Sequence, residues 1–173
     1  DADILVKYIQ DNHLDDKRFL RAQKAVDTNR VRYESHIPEK HEFSSHPDII
    51  HLLKKYSDKF LFECKDFFKD EEDLYLGAQW LTMLGEGTRL PAHVDNHEEA
   101  EHLFRSGVMY LNDDFDGGYL KFLNEELTVK PEKLSIVIFE ATQLHQITPV
   151  LSGIRIAMPI WATNIKEKGI THG

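Results

Sequence analysis

Cysteine is nearly absent from this chain: 173 residues contain one, Cys64. A single thiol cannot close an intrachain disulfide, so a disulfide-stapled secreted scaffold is excluded, as is a zinc site built on cysteines. Long apolar runs are missing too, since none approaches the ~18 residues a membrane-spanning helix needs. Basic residues are in deficit: 21 Lys and Arg stand against 30 Asp and Glu, a formal charge of −9. A net acidic chain repels polyanions, so neither nucleic acid nor a membrane is an expected partner. Internal repeats and low-complexity segments are also absent. A cytoplasmic or otherwise reducing compartment is expected, and an opening Asp1 in place of Met leaves room for a removed targeting segment.

The 41% hydrophobic and 29% charged residues suit a soluble domain with its own core, and the length suits one domain rather than two. Ile4, Leu5, Tyr8 and Ile9 recur at helical spacing, and Phe19, Leu20 and Ala22 form a second apolar set. The polar stretch Asp27–Ser45 has no clear period and reads as a loop or irregular hairpin, a candidate substrate-covering lid. A stronger helix follows. Pro47 suits its first turn, and Ile49, Leu53, Tyr56, Phe60, Cys64 and Phe67 mark its apolar face, ended by the acidic Lys69–Asp73 segment. From Leu74 on, short apolar runs alternate with turn residues. Leu74–Leu84, Gly107–Leu111, Tyr119–Leu123, Leu134–Phe139 and Ile154–Trp161 read as strands, and Asp113–Gly118 as a connection between strands. Helices followed by many short strands predict an α+β, mainly β fold: a jelly roll with N-terminal helices on one outer face. One domain spans 1–173, with helical support and the lid in 1–73 and the jelly roll in 74–163.

Ten histidines raise a metal question. The sharpest local feature is Pro91-Ala92-His93-Val94-Asp95-Asn96. On a strand, residues i and i+2 share a face, so His93 and Asp95 would point the same way. His145, after the apolar strand Leu134–Phe139, is the candidate third ligand. Two His and one carboxylate on one face of a metal leave three positions open, the arrangement of non-haem Fe(II) oxygenases. Arg155 lies in an otherwise apolar strand. A buried guanidinium needs an anion: either a structural carboxylate, or the far carboxylate of a dicarboxylate such as 2-oxoglutarate chelated to the metal.

Taken together, these segments resemble the catalytic domain of the prolyl 4-hydroxylase group of Fe(II)/2-oxoglutarate dioxygenases. The matching pieces are Gly85-Glu86-Gly87-Thr88 with His93-Val94-Asp95-Asn96, then Tyr110-Leu111-Asn112 through Gly117-Gly118, then His145, Pro149-Val150, Gly153, Arg155 and Trp161. Their order and spacing agree over roughly half the chain. The resemblance implies a double-stranded β-helix. It implies iron held by His93, Asp95 and His145, and 2-oxoglutarate held by Arg155 with Tyr110. It also implies dioxygen as co-substrate, ascorbate as a reductant and Trp161 in the pocket wall. Members often carry a further tyrosine before the glycine turn; here that position is Met83 or Leu84, and Met83 is expected in the substrate pocket. The implied reaction hydroxylates a C–H bond of a prolyl residue in a peptide or protein, with release of succinate and carbon dioxide. A non-prolyl residue or small molecule is the alternative substrate. A cupin-like binding or sensor protein and a zinc hydrolase on the same three ligands are the rival readings. His97 and His102 read as part of a solvated acidic loop, Cys64 as a small core residue.

Overall fold

The computed structural model describes residues 1–12, 30–33 and 47–170. Two helices, α1 (Ala2–Asn12) and α2 (Pro47–Phe68), flank a first strand, β1 (Arg30–Tyr33). Pro47 opens α2, where its missing N–H is not needed. Ile49, Leu52, Leu53, Tyr56, Phe60 and Cys64 form its buried face. Phe67, expected on that face, is 68% exposed; the inward stripe ends at Cys64, and Phe68 packs on Arg105 instead. Lys69 stops the helix in the left-handed conformation at φ 57°.

Eleven strands follow. The expected Leu74–Leu84 strand is two, β2 (Tyr75–Gln79) and β3 (Leu81–Leu84), broken at Trp80. Next come β4 (Leu90–His93), β5 (Arg105–Tyr110), β6 (Asp116–Gly117), β7 (Leu120–Phe122) and β8 (Leu127–Val129). The chain then runs through β9 (Ile136–Glu140), β10 (His145–Ile147), β11 (Val150–Ser152) and β12 (Arg155–Thr163). The large sheet is ordered β1-β3-β12-β5-β9, with β2 also on β12; the smaller is β4-β10-β7-β8, and β6 pairs β11. Every pairing is antiparallel.

Pro159 sits inside the central strand β12, where a missing donor would normally break a ladder. Its carbonyl accepts from Trp80 N–H at 2.9 Å, at the break between β2 and β3. The absent N–H therefore falls where that edge of the ladder is already interrupted.

Strand alternation divides the interior into two layers. Ile156, Met158, Ile160 and Ala162 of β12 join Met83, Met109 and Leu111 against the helices. Leu84, Val108, Tyr110 and Ala157 face the other way, onto Leu120, Phe122, Phe139 and Ile147. At Gly107 a Cβ would lie 2.6 Å from the Phe60 ring, so the bare backbone lets α2 approach β5. This is the predicted architecture of a double-stranded β-helix with helices on one outer face.

Most of the candidate lid, and all of the second apolar set, lie outside the described residues. Within the lid, Arg30–Tyr33 is a strand paired with β3 rather than loop. Among the described residues no helix is long and apolar enough to cross a membrane.

Candidate metal centre and co-substrate pocket

Strands β4 and β10 are neighbours, and His93 and His145 are direct cross-strand partners. Their rings lie 4.4 Å apart between centroids. Asp95 is not on the strand with His93, as expected from the i, i+2 argument, but in a bend just past it. What holds the bend is one carbonyl: Ala141 O accepts from both Asp95 N–H and Asn96 N–H at 2.9 Å. The carboxylate is thus turned inward, its oxygens 3.5 Å from His93 Nε2 and 3.7 Å from His145 Nε2. One ligand atom from each of the three residues falls within 4.8 Å of the others, the single such grouping among the described residues.

Both imidazoles are set by the same local device. His93 Nδ1–H donates to Pro91 O and His145 Nδ1–H to Gln143 O, each at 2.8 Å and each two residues back. That tautomer leaves both Nε2 lone pairs directed to the shared point. Burial, reinforced by His93, holds the His145 imidazole below the usual histidine range against the pull of Asp95 and the Gln143 carbonyl, favouring the neutral ligand form. Burial alone would push the Asp95 carboxyl up. His93, His145, Ser106 and Trp161 outweigh it and hold the group below the usual carboxylate range, as a ligand must be. Ser106 Oγ–H donates to Asp95 Oδ2 at 2.7 Å, in a buried contact. Two imidazole nitrogens, one carboxylate oxygen and an open side fit a divalent metal of the iron type.

The triad opens into a cavity of about 640 Å³, within the range of small-molecule sites. Its walls are largely apolar: Trp80, Trp161, Leu90, Val94, Leu103 and Ile147 line it, and Arg155 reaches it from β12. Trp80 and Trp161 meet edge to face at 4.5 Å. Arg155 is 2% exposed. Its Nε–H donates to Gly118 O at 3.0 Å, and its guanidinium lies 5.2 Å from the centre of the Tyr110 ring. No carboxylate among the described residues pairs with it; burial pushes the guanidinium below the usual arginine range, and only Tyr110 opposes that. The Tyr110 hydroxyl is buried, with Arg155 the one polar group acting on it among the described residues. Burial pushes that phenol up, and Arg155 opposes the shift.

The predicted positions thus separate. His93, Asp95 and His145 converge, with Arg155 and Trp161 lining the same cavity and Tyr110 beside Arg155. Met83 does not belong there. It points to the helices in the outer core, while its neighbours Thr82 and Leu84 line the cavity, because alternation allows one parity only. His97 and His102 line the cavity as well, His97 remaining exposed to solvent as expected and His102 half-buried. Cys64 is fully buried, and burial pushes its thiol up to about 12, so it is no nucleophile at neutral pH. The residue missed by sequence reasoning is Ser106. Alternation with Val108 and Tyr110 could have found it, had the strand been started one residue earlier.

The sequence model of the 2OG-Fe(II) oxygenase superfamily matches residues 78–163. A PKHD-type hydroxylase of Psychrobacter sp. (strain PRwf-1) is 32% identical over 104 residues, covering 51% of this chain and 39% of the relative. A second, from Paraburkholderia xenovorans (strain LB400), is 30% identical over 93 residues, covering 46% of this chain and 39% of its own. The aligned region therefore spans about two fifths of the curated relatives it matches. Among solved structures, the viral collagen prolyl hydroxylase of Paramecium Bursaria Chlorella virus-1 has a TM-score of 0.63 at 18% identity, covering 95% of this chain and 89% of that one. A Pseudomonas putida prolyl-4-hydroxylase has a TM-score of 0.62 at 18% identity, covering 94% and 87%. At that identity the likeness is one of fold. With the sequence match running from within β2 to the end of β12, over the segment that carries all three metal-ligand candidates and Arg155, the chain belongs to the 2OG-Fe(II) oxygenase superfamily.

Proposed function

We propose that this chain is an Fe(II)- and 2-oxoglutarate-dependent dioxygenase that hydroxylates an unactivated C–H bond, with a prolyl residue in a peptide or protein as its substrate. The observation that carries the reading is Arg155: a buried cation with no anion among the described residues, beside the buried Tyr110 hydroxyl, in the cavity that holds the triad. A buried, uncompensated guanidinium is costly. A dicarboxylate spanning from metal to guanidinium supplies the missing charge, and its fork geometry suits a carboxylate. A zinc hydrolase on the same ligands would leave Arg155 without a task.

When bound, iron and 2-oxoglutarate supply the oxidising chemistry, in which dioxygen is consumed and succinate and carbon dioxide are released. The chain's residues hold and orient. His93 and His145 present Nε2, fixed by their carbonyl bonds, and Asp95 presents a carboxylate oxygen. Arg155 anchors the far carboxylate, with Tyr110 at hand for a second hydrogen bond. The apolar walls keep water away, and the Trp161 and Trp80 faces suit a neutral, compact side chain such as a prolyl ring. The hydroxylase names of the curated relatives and the prolyl hydroxylase names of the fold neighbours support this substrate class.

Anaerobic titration with Fe(II) and then 2-oxoglutarate tests the co-substrate claim through a visible charge-transfer band. Arg155→Ala should weaken 2-oxoglutarate by a few hundred- to a few thousand-fold, the equivalent of ~3–5 kcal/mol for one partner of a buried charge pair, while sparing iron. Arg155→Lys should recover only part. Unchanged 2-oxoglutarate affinity in Arg155→Ala would sink the reading. The substrate claim is tested by succinate release with prolyl peptides against the same peptides carrying alanine; equal rates would remove proline.

A further inference from the structure

Asp95 is the one metal-ligand candidate outside regular structure, and a free carboxylate can rotate about its terminal bond or offer both oxygens to a metal. The two histidines are locked by backbone carbonyls. The Trp161 indole also bears on the Asp95 carboxylate, but the one short side-chain hydrogen bond that carboxylate accepts is the 2.7 Å contact from Ser106 Oγ–H to Oδ2. Ser106 is fully buried, and its backbone lies in the β5 ladder between Trp161 of β12 and Phe139 of β9. Strand pairing on both sides fixes where the hydroxyl stands. The bend that carries Asp95 is itself tied to Ala141. Both ends of the contact are therefore pre-set by backbone.

Resting on the iron reading above, we infer that Ser106 is a positioning residue for the metal centre: it occupies Asp95 Oδ2, so that the carboxylate meets the metal through its other oxygen alone. The consequence concerns vacant positions. A carboxylate that binds through both oxygens would take one of the three positions that co-substrate and dioxygen need. A hydroxyl donor on one oxygen prevents this and holds the ligand plane. Partners of this kind typically change metal affinity by about 10- to 100-fold when removed.

The test uses two variants of equal volume. Ser106→Thr keeps a hydroxyl and adds a methyl; Ser106→Val adds the same bulk with no hydroxyl. Any cost of overfilling the space between Trp161 and Phe139 is common to both. Fe(II) binding is measured anaerobically by calorimetry, and Co(II) is added in parallel so that its visible absorption reports coordination number. Ser106→Val should bind Fe(II) about 10- to 100-fold more weakly than Ser106→Thr and show an altered Co(II) spectrum. Ser106→Thr should stay near the native values. Ser106→Ala, which is smaller than the native residue, should also bind weakly, and this covers the case in which Thr and Val both fail to fold. Equal Fe(II) affinities and equal Co(II) spectra across Thr, Val and Ala variants would overturn the inference while native binding stands. Absence of Fe(II) binding by the native protein would instead remove the iron reading itself.

Discussion

Gly118 shows how narrowly the position of the Arg155 side chain is defined. Its φ is +60°, and its carbonyl accepts the Arg155 Nε–H at 3.0 Å. A Cβ there would sit 2.9 Å from Arg155 Cδ and 3.1 Å from Val150 Cγ2. The glycine is thus required twice, by a left-handed backbone and by the side chain it orients. Gly118→Ala should cost about 1–2 kcal/mol from the left-handed conformation alone. It should also push the guanidinium off its mark, weakening 2-oxoglutarate more than Fe(II). Denaturant midpoints and the anaerobic 2-oxoglutarate titration separate the two effects. If stability falls while 2-oxoglutarate binds as in the native protein, Gly118 matters for the turn and not for Arg155. In the sequence this residue reads only as part of a turn-rich stretch. Its contact with Arg155 spans 37 positions, a separation that local propensity does not register.

At the scale of elements, α2 was legible because its pattern is strong: a proline at the start and apolar residues at steps of three and four. The strands β2, β3, β5, β7, β9 and β12 were legible as existence and type, less so in extent. The break at Trp80 was not visible, since Leu74–Leu84 is continuous in apolar texture and the interruption answers Pro159 on another strand. The short strands β6, β8 and β11 are too brief to carry a period. The ion pair that ties α2's end to the large sheet was also hidden. Arg105 donates to Asp70 through Nε at 3.0 Å and Nη2 at 2.6 Å. Its guanidinium lies 4.1 Å from the Phe68 ring and 3.9 Å from the Phe104 ring. With side-chain exposures of 9% and 10%, the pair is shielded from solvent, so the low value of surface pairs does not apply. Asp70→Ala leaves a buried, half-stacked cation with only the largely exposed Glu140 carboxylate, 3.7 Å from Nη1, beside it, and should destabilise by about 3 kcal/mol. The Arg105→Met and Asp70→Leu double variant should lie much nearer the native protein, because no charge is stranded. Urea unfolding with unchanged m-values checks both. A double variant as unstable as Asp70→Ala would mean that the stacking of Arg105 on the two rings, not the charge, is what counts.

For the whole molecule, β12 joins the two halves of the interior. One parity of its residues packs on the helices, the other closes the inner cavity, and Arg155 and Trp161 belong to the second set. The ligand site is therefore assembled only when both sheets are in place, since its parts lie on β4, in the bend after it, on β10 and on β12. Sequence order could name these residues but not their convergence, which depends on the antiparallel register His145↔His93 and on the Ala141 anchor. It follows that ligands bind the folded chain and not the unfolded one, and their affinity adds to global stability. At about 100 times Kd a ligand contributes ~2.7 kcal/mol, and at about 1,000 times Kd ~4.1 kcal/mol. For a chain of this size each kcal/mol moves the melting temperature by roughly 2–4 °C. Fe(II) at about 100 times its Kd, under anaerobic conditions, should then raise Tm by roughly 5–11 °C, and 2-oxoglutarate should add a second increment only in its presence. The increments divide by residue. His145→Ala should lose both, since metal chelates the near end of the co-substrate. Arg155→Ala should keep the metal increment and lose the second one. A 2-oxoglutarate shift that persists in metal-free protein, or that survives Arg155→Ala, would show that the dicarboxylate binds elsewhere and that the buried guanidinium answers to some other anion.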